Sequence, residues 1–583
     1  MFQFLTLFFL SFLTLGHLER PRILDPNDYI YPLEGVAGLY SASFGELRPN
    51  HFHSGADIKT DGICGKRVVS VADGYVARIG VSPYGYGLAI YVAHPNGTTS
   101  VYAHLSRFND KIHEWVESEI YRTKKNSVSL FPTADQFPVK QGDLIAYSGN
   151  SGSSSGPHLH FEIRESASQK TLNVMSQGVI KSRDTRAPLI FRVHYMEVDS
   201  VGGVAYTSKM RTFQAKSTTP DEYELEVANN EIIVGRKGYF IVEASDRKDD
   251  VTNRFGLYSL RSYLDEKPYF EYRMDGFTFP STRYCNAVSY YPIKLSSVNE
   301  VIRVAQLGNG SAQFYPTMVE RGLVRCVADS VRRVRIEAED DMGNVSGLNF
   351  KIRGGHEPFK AEIDTAQKIV YADKRFFHKE GGASVAIDSY TLYKSIPFEY
   401  KVTPLTEQRK QSLTTPTCKV EIITPIYKVL DRTIPLHKGM RVDIEAEIEP
   451  RLQSKALIAL VGKTGKISNL GGSYSSGRVG VDTRSAGEFV VAIDTVRPRV
   501  VPNFEVGANL TSRKSISFTI SDNFSGVAGY TGYINGEWVA LDYHGGRVTH
   551  HFRNKPTGGE HTMRVVVSDG RNNTTSVERR FRR

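Results

Sequence analysis

Two short stretches of the chain concentrate side chains able to hold a metal ion. "NHFHSGADIKT", residues 50–60, carries His51, His53 and Asp57; "SGNSGSSSGPHLHFEIR", residues 148–164, carries His158 and His160. Seven of the 16 histidines fall between residues 51 and 160. In a strand, residues i and i+2 face the same way, so His158 and His160 can reach one point in space. His53 and Asp57 are also an even number of residues apart, and Gly55 between them gives the backbone freedom to wrap a ligand. Two imidazoles and one carboxylate suit a first shell for Zn²⁺, with a fourth position open to water. His104, in "VYAHLS", follows a predicted hairpin strand and could stand beside a metal without ligating it. An imidazole placed there can accept a proton or stabilise an oxyanion. Each piece alone also fits a solvated loop or a packed strand; three such pieces within one predicted domain favour a metal.

The elements that must position these residues read as β-structure. Residues 25–185 form one unit rich in short strands. "KRVVSVADGYVARIG" and "GLAIYVAHPNGTTSVYAHL" alternate or run apolar, with Asp73-Gly74 and Asn96-Gly97 as tight turns, the second predicting a hairpin. Residues 108–140 differ: charged, helical in their first half, an insertion between core strands. Beyond this unit the chain repeats itself. "RVRIEAEDDMGNVSGLNFKI" (333–352) resembles "MRVVVSDGRNNTTSVERRF" (563–581), and "FIVEASDRKDDVTNRFGLYSL" resembles "SFTISDNFSGVAGYTGYING". We therefore expect a β-sandwich module at 190–355, a β-rich middle module at 356–495 and an immunoglobulin-like β module at 496–583. "DTVRPRVVP" reads as the linker before the last of these. The expected fold class is all-β and multidomain. Sandwich modules host many functions, so the fold alone assigns none.

The segments "HSGADI", "VADGYV", "GYGLAIYVAH", "VYAHLS" and "VKQGDLIAYSGNSGSSSGPHLHFEI" together resemble the M23 (lysostaphin and LytM-type) family of zinc metallopeptidases, in the family's order, over residues 35–165. The resemblance implies a small, mostly antiparallel β domain with a narrow groove. It implies His53, Asp57 and His160 as zinc ligands and His104 and His158 as the catalytic pair. His51 is then a neighbour at the surface or behind the ligands. The loop of Tyr84 and Tyr86 and the 108–140 insertion would form groove walls, and the insertion would serve as a lid or dock a partner. The implied activity is hydrolysis of peptide cross-links in bacterial peptidoglycan. The implied partners are its peptide stems or cross-bridges, with the C-terminal modules binding glycan or an envelope protein, or acting as spacers. Some domains of this type lose site residues and act as non-catalytic regulators of other wall hydrolases; this chain retains all five. The modules after residue 190 are expected to be dispensable for cleaving soluble muropeptides.

Length and composition agree with this organisation. A chain of 583 residues is too long for one core, and 40% hydrophobic residues supply several. The net charge of +10 could draw the chain toward a polyanion, but no basic-aromatic nucleic-acid module is present. The four cysteines, Cys64, Cys285, Cys326 and Cys418, show no CxxC spacing, which excludes a zinc knuckle; Cys285 and Cys326 could pair or remain buried thiols. The apolar run from Phe2 to Leu15 suits a signal peptide over residues 1–19, although no Lys or Arg precedes it. No later segment has about 18 consecutive apolar residues, so none is expected to span a membrane. An exported protein, periplasmic or extracellular, is expected.

Overall fold

The structure is a computed structural model and describes residues 23–36, 38–414, 418–552 and 558–583. The expected signal peptide at 1–19 lies outside the described residues. No helix among the described residues is long and apolar enough to cross a membrane.

The N-terminal domain is built on an antiparallel sheet. Its strands lie in the order Tyr40–Ala42, Ala56–Lys59, His158–Glu165, Thr98–Leu105, Leu88–Ala93, Gly74–Val81 and Val128–Leu130. The alternating runs produce it: Ile58, Val76, Ile90, Leu159 and Phe161 are fully buried in one core. Asn96-Gly97 turns the central hairpin, with Gly97 at φ 79° and the Asn96 side chain accepting from the Thr98 N–H at 3.2 Å. Two register facts matter for chemistry. His160 lies opposite Asp57 on one neighbouring strand and opposite Ala103 on the other. The two stretches that are about a hundred residues apart in sequence are therefore side by side.

The insertion contains a helix, Asp110–Thr123, and the strand Val128–Leu130 that closes the sheet edge. Asn109 caps the helix by accepting from the Ile112 N–H at 3.0 Å, and Lys124 ends it in a left-handed conformation. Ile112 and Val116 enter the domain core. The helix's far end meets the last module of the chain. The rings of Tyr121 and Trp538 lie 5.5 Å apart, and the Asn126 side chain donates to the Tyr530 carbonyl at 3.2 Å and accepts from the Leu541 N–H at 2.9 Å. The insertion thus packs against the last module of its own chain.

Residues 189–354 form a second, 13-stranded sheet system. Cys285 and Cys326 are buried there as free thiols, not a disulfide. Residues 369–493 make three further sheets, of two, five and six strands, that share a core, and residues 499–582 a sandwich in which Phe518 and Val548 of one sheet meet Met563 and Val565 of the other. The internal repeat is visible in space: Asp184, Asp246 and Asp340 converge in one module, Asp494, Asp522 and Asp569 in the other. In the first set the Lys248 ammonium sits among the carboxylates, 3.2 Å from Asp184 and 3.6 Å from Asp246.

The boundary at residue 190 is not an energetic one. Phe44, Leu47 and Phe52 of the N-terminal domain are buried in the core of the second module, with Val242, Phe277 and Ile302. The strand Thr171–Leu172 pairs with Gly276–Phe277. Removing residues 190–583 would expose these side chains, which weighs against the expectation that the modules are dispensable.

Candidate metal centre

His53 Nε2, Asp57 Oδ1 and His160 Nδ1 converge. The separations are 3.2 Å from His53 to Asp57, 2.8 Å from His160 to Asp57 and 3.3 Å between the two imidazoles. Tetrahedral ligands at zinc bond lengths stand about 3.3 Å apart, so the three atoms are spaced to share one ion. Each ring is oriented by its other nitrogen. His53 Nδ1 donates to the Ser43 carbonyl at 2.7 Å, and His160 Nε2 donates to Glu162 Oε1 at 2.8 Å. Because those partners are oxygens that can only accept, the nitrogens facing Asp57 are the ones left to give a lone pair to a metal, which would displace any proton held there. The donor set fits zinc.

The electrostatics call for a positive charge at this point. Burial alone would lower the pKa of His160, but its hydrogen bonds to Asp57 and Glu162 outweigh burial and raise it to about 9. Burial alone would raise Asp57, yet the neighbouring His53 and His160 hold it well below the usual carboxylate range. Glu162 is fully buried; burial would raise it, and the charge of Arg164 with the hydrogen bonds from His160 and Arg164 bring it to about 2. Glu162 also accepts from Tyr86 OH at 2.6 Å and Ser54 Oγ at 2.7 Å, while Arg164 Nε holds its second oxygen at 2.7 Å.

His104 and His158 flank the three ligands, their ring centroids 4.7 Å apart, with His104 5.8 Å from His160. His104 Nδ1 donates to the Ser151 carbonyl at 2.9 Å and His158 Nδ1 to the Gly156 carbonyl at 2.8 Å, so each keeps Nε2 as an acceptor. His158 Nε2 lies 3.6 Å from Asp57 Oδ1. Burial, followed by the nearby His160 and His158, lowers His104 to about 4. His104 adopts φ 58°, a left-handed conformation uncommon for a side-chain-bearing residue and typical of functional sites.

The structure brings together all five residues singled out from the sequence. His51 stands apart: it is exposed on a hairpin and its Nδ1 meets the Pro49 carbonyl. Tyr84 is exposed and faces Tyr543 at 6.0 Å, whereas Tyr86 turns inward to Glu162. Gly55 is needed for a different reason from backbone freedom. Its φ is not left-handed; a Cβ there would stand 2.4 Å from the Phe161 carbonyl and 2.9 Å from the His160 ring. Sequence reasoning missed Glu162 and Ser43. Glu162 was accessible from the strand period, two residues after His160 on the same face; Ser43 contributes a carbonyl, which no side-chain pattern reveals.

A His, Asp, His set with two further imidazoles beside it has the donor arrangement of a metal centre. Comparison with known proteins narrows this. The sequence profile of peptidase family M23 matches residues 51–120 and 123–173, and that of a Zu5-like domain matches residues 367–494. The M23-like segment thus lies near the N-terminal end of a mostly β chain, with the Zu5-like segment beyond it. The chain is 33% identical over 100 residues to a DD-carboxypeptidase/endopeptidase Mpg of Neisseria meningitidis, covering 17% of each protein. It is 33% identical over 118 residues to an uncharacterized metalloprotease of Haemophilus influenzae, covering 20% of this chain and 19% of that one. The match thus spans less than a fifth of the length of these relatives. Among solved structures, the catalytic domain of lysostaphin from Staphylococcus simulans is similar at 24% identity, over 26% of this chain and 92% of that one, with a TM-score of 0.18. A zinc-containing peptidase from Vibrio cholerae is similar at 26% identity over 23% and 35%, with a TM-score of 0.17.

Proposed function

We propose that this protein is an exported zinc metalloendopeptidase, periplasmic or extracellular, that hydrolyses peptide cross-links of bacterial peptidoglycan. The observation that carries the reading is the complete set: three converging ligand atoms, each ligand imidazole held by an oxygen on its other nitrogen, and two further imidazoles beside them. Zinc, held by His53, Asp57 and His160, would supply Lewis acidity that polarises a carbonyl and makes water more acidic. His104 and His158 do the proton chemistry. His104, neutral because its pKa is about 4, accepts a proton at Nε2 while Ser151 fixes its ring. The proton taken up at His104 Nε2 can then be given to the leaving amine, and His158, fixed by Gly156, can stabilise the charge that develops on the substrate oxygen when its Nε2 carries a proton. Both hydrogen bonds to backbone carbonyls set the tautomer before substrate arrives. Identity to a named carboxypeptidase/endopeptidase supports the substrate class.

The test uses the full chain after the apolar leader. Bound metal is measured, and the protein is incubated with peptidoglycan, with products identified by mass spectrometry and His104→Ala as the control. One zinc per chain, with new amino and carboxyl ends absent in the control, supports the peptidase. Zinc without products, or equal effects of both proteins on another wall hydrolase, supports the regulator reading instead.

A further inference from the structure

We infer that the β module of residues 190–355 is a working part of the metal centre: through Phe277 and its neighbours it positions the oxygens that orient both ligand histidines. The inference rests on the proposed zinc ligands and adds the module, which the M23 match does not cover.

The first connection runs to His53. The oxygen that orients it is the Ser43 carbonyl. Ser43 and His53 are the outer ends of a hairpin, closed by the Gly45 N–H donating to the His53 carbonyl at 2.8 Å and the His53 N–H donating to the Glu46 carbonyl at 3.0 Å. The side chains beside those ends, Phe44 and Phe52, turn away from their own domain. Both rest on Phe277, which is fully buried, with ring centroids 5.5 and 5.4 Å away. Polar contacts fix the register: the Gly256 N–H donates to Ser43 Oγ at 3.2 Å, the Phe52 N–H to Thr282 Oγ1 at 2.9 Å and the Leu47 N–H to Glu300 Oε1 at 3.1 Å. All three partners from across the interface belong to the module.

The second connection runs to His160. The strand Gly276–Phe277 pairs with Thr171–Leu172. Thr171 Oγ1 donates to the Ser54 carbonyl at 2.6 Å, and Ser54 Oγ donates to Glu162, the carboxylate that orients His160. On the other side of Glu162, the Arg164 guanidinium packs over the Phe279 ring, 4.6 Å from its centroid. One short segment, Phe277 to Phe279, therefore supports the partners of both imidazoles. Outer partners of metal-ligating histidines set ring orientation and basicity, and losing one weakens metal binding by about 10- to 100-fold. Phe277 is a positioning residue: it touches neither metal nor substrate.

A purely structural role would move stability without moving the metal site, and a control separates the two. Ile241 is also fully buried, but on the opposite face of its strand, in a separate cluster with Met196 and Val301. In the full chain, zinc affinity is measured by chelator competition, and cobalt(II) spectra report ligand geometry. We expect Phe277→Ala to weaken zinc binding by about 10-fold or more and to change the cobalt spectrum, Phe277→Leu to recover most of the loss, and Ile241→Ala to leave both unchanged. Should Phe277→Ala not fold, Phe279→Ala carries the test, because that ring is 38% exposed and its loss removes the packing on Arg164 and one edge contact with Phe277 while leaving Phe277 in place. About threefold weaker zinc binding in Phe279→Ala supports the inference. Unchanged affinity in the Phe277 and Phe279 variants, or an equal loss in Ile241→Ala, overturns it. A wild-type chain that binds no zinc would refute the proposed function first; a zinc-binding wild type with unaffected variants refutes this inference alone.

Discussion

Glu162→Gln tests the electrostatic design of the centre. The substitution keeps the shape of the side chain but removes its charge. Four donors converge on the carboxylate: His160 Nε2, Tyr86 OH, Ser54 Oγ and Arg164 Nε. A glutamine has one acceptor oxygen, so its amide N–H₂ must face a donor, and Arg164 is left as a poorly paired charge with 6% side-chain exposure. Removing one partner of a buried pair costs about 3–5 kcal/mol. The pKa gives a similar figure. Glu162 lies at about 2 against an ordinary 4.5, and that 2.5-unit difference is worth about 3 kcal/mol. A carboxylate whose pKa is lowered by folding stabilises the protein above its unfolded pKa and loses that contribution as pH falls through the folded one. Wild type should therefore hold the full contribution above about pH 4.5 and lose it between there and about pH 2. The assay is denaturant unfolding of the metal-free chain from pH 2 to 7, with zinc affinity measured at neutral pH. Expected are a deficit of about 3 kcal/mol at neutral pH that shrinks toward pH 2, and zinc binding weakened about 10- to 100-fold. A constant deficit across that range, or zinc affinity within about twofold of wild type, would refute the reasoning.

Three further outcomes are expected. His53→Ala should abolish stoichiometric zinc, while His51→Ala, at an exposed position outside the cluster, should keep both metal and hydrolysis; metal analysis of the purified variants decides it. His104→Ala should retain zinc and lose hydrolysis by about 10²- to 10⁴-fold, and because the His104 pKa is lowered to about 4, wild-type activity should not decline through this group until pH approaches that value. Gly55→Ala should separate the His53–Asp57 strand from the His160 strand, since its Cβ would meet the Phe161 carbonyl at 2.4 Å; a drop in melting temperature together with loss of zinc checks it.

The five site residues were legible in the sequence because their chemistry is local to strands. A period of two aligns His158 with His160, and the Asn96-Gly97 turn fixes the hairpin that ends near His104. Glu162 was legible by the same rule. The all-β character and the repeated module were also in the sequence, as alternating runs and recurring Asp-rich turns. Only the tertiary structure decided the rest. His160 faces Asp57 because strand register is a long-range pairing, which no local pattern encodes. The Ser43 carbonyl is invisible to any reading of side chains, as is the reason for Gly55, which lies in what packs above it. The contact across residue 190 was not legible for the same physical reason: Phe44 and Phe52 look like ordinary apolar residues of the first domain, and which core buries an apolar side chain depends on the surface that comes to meet it, here Phe277.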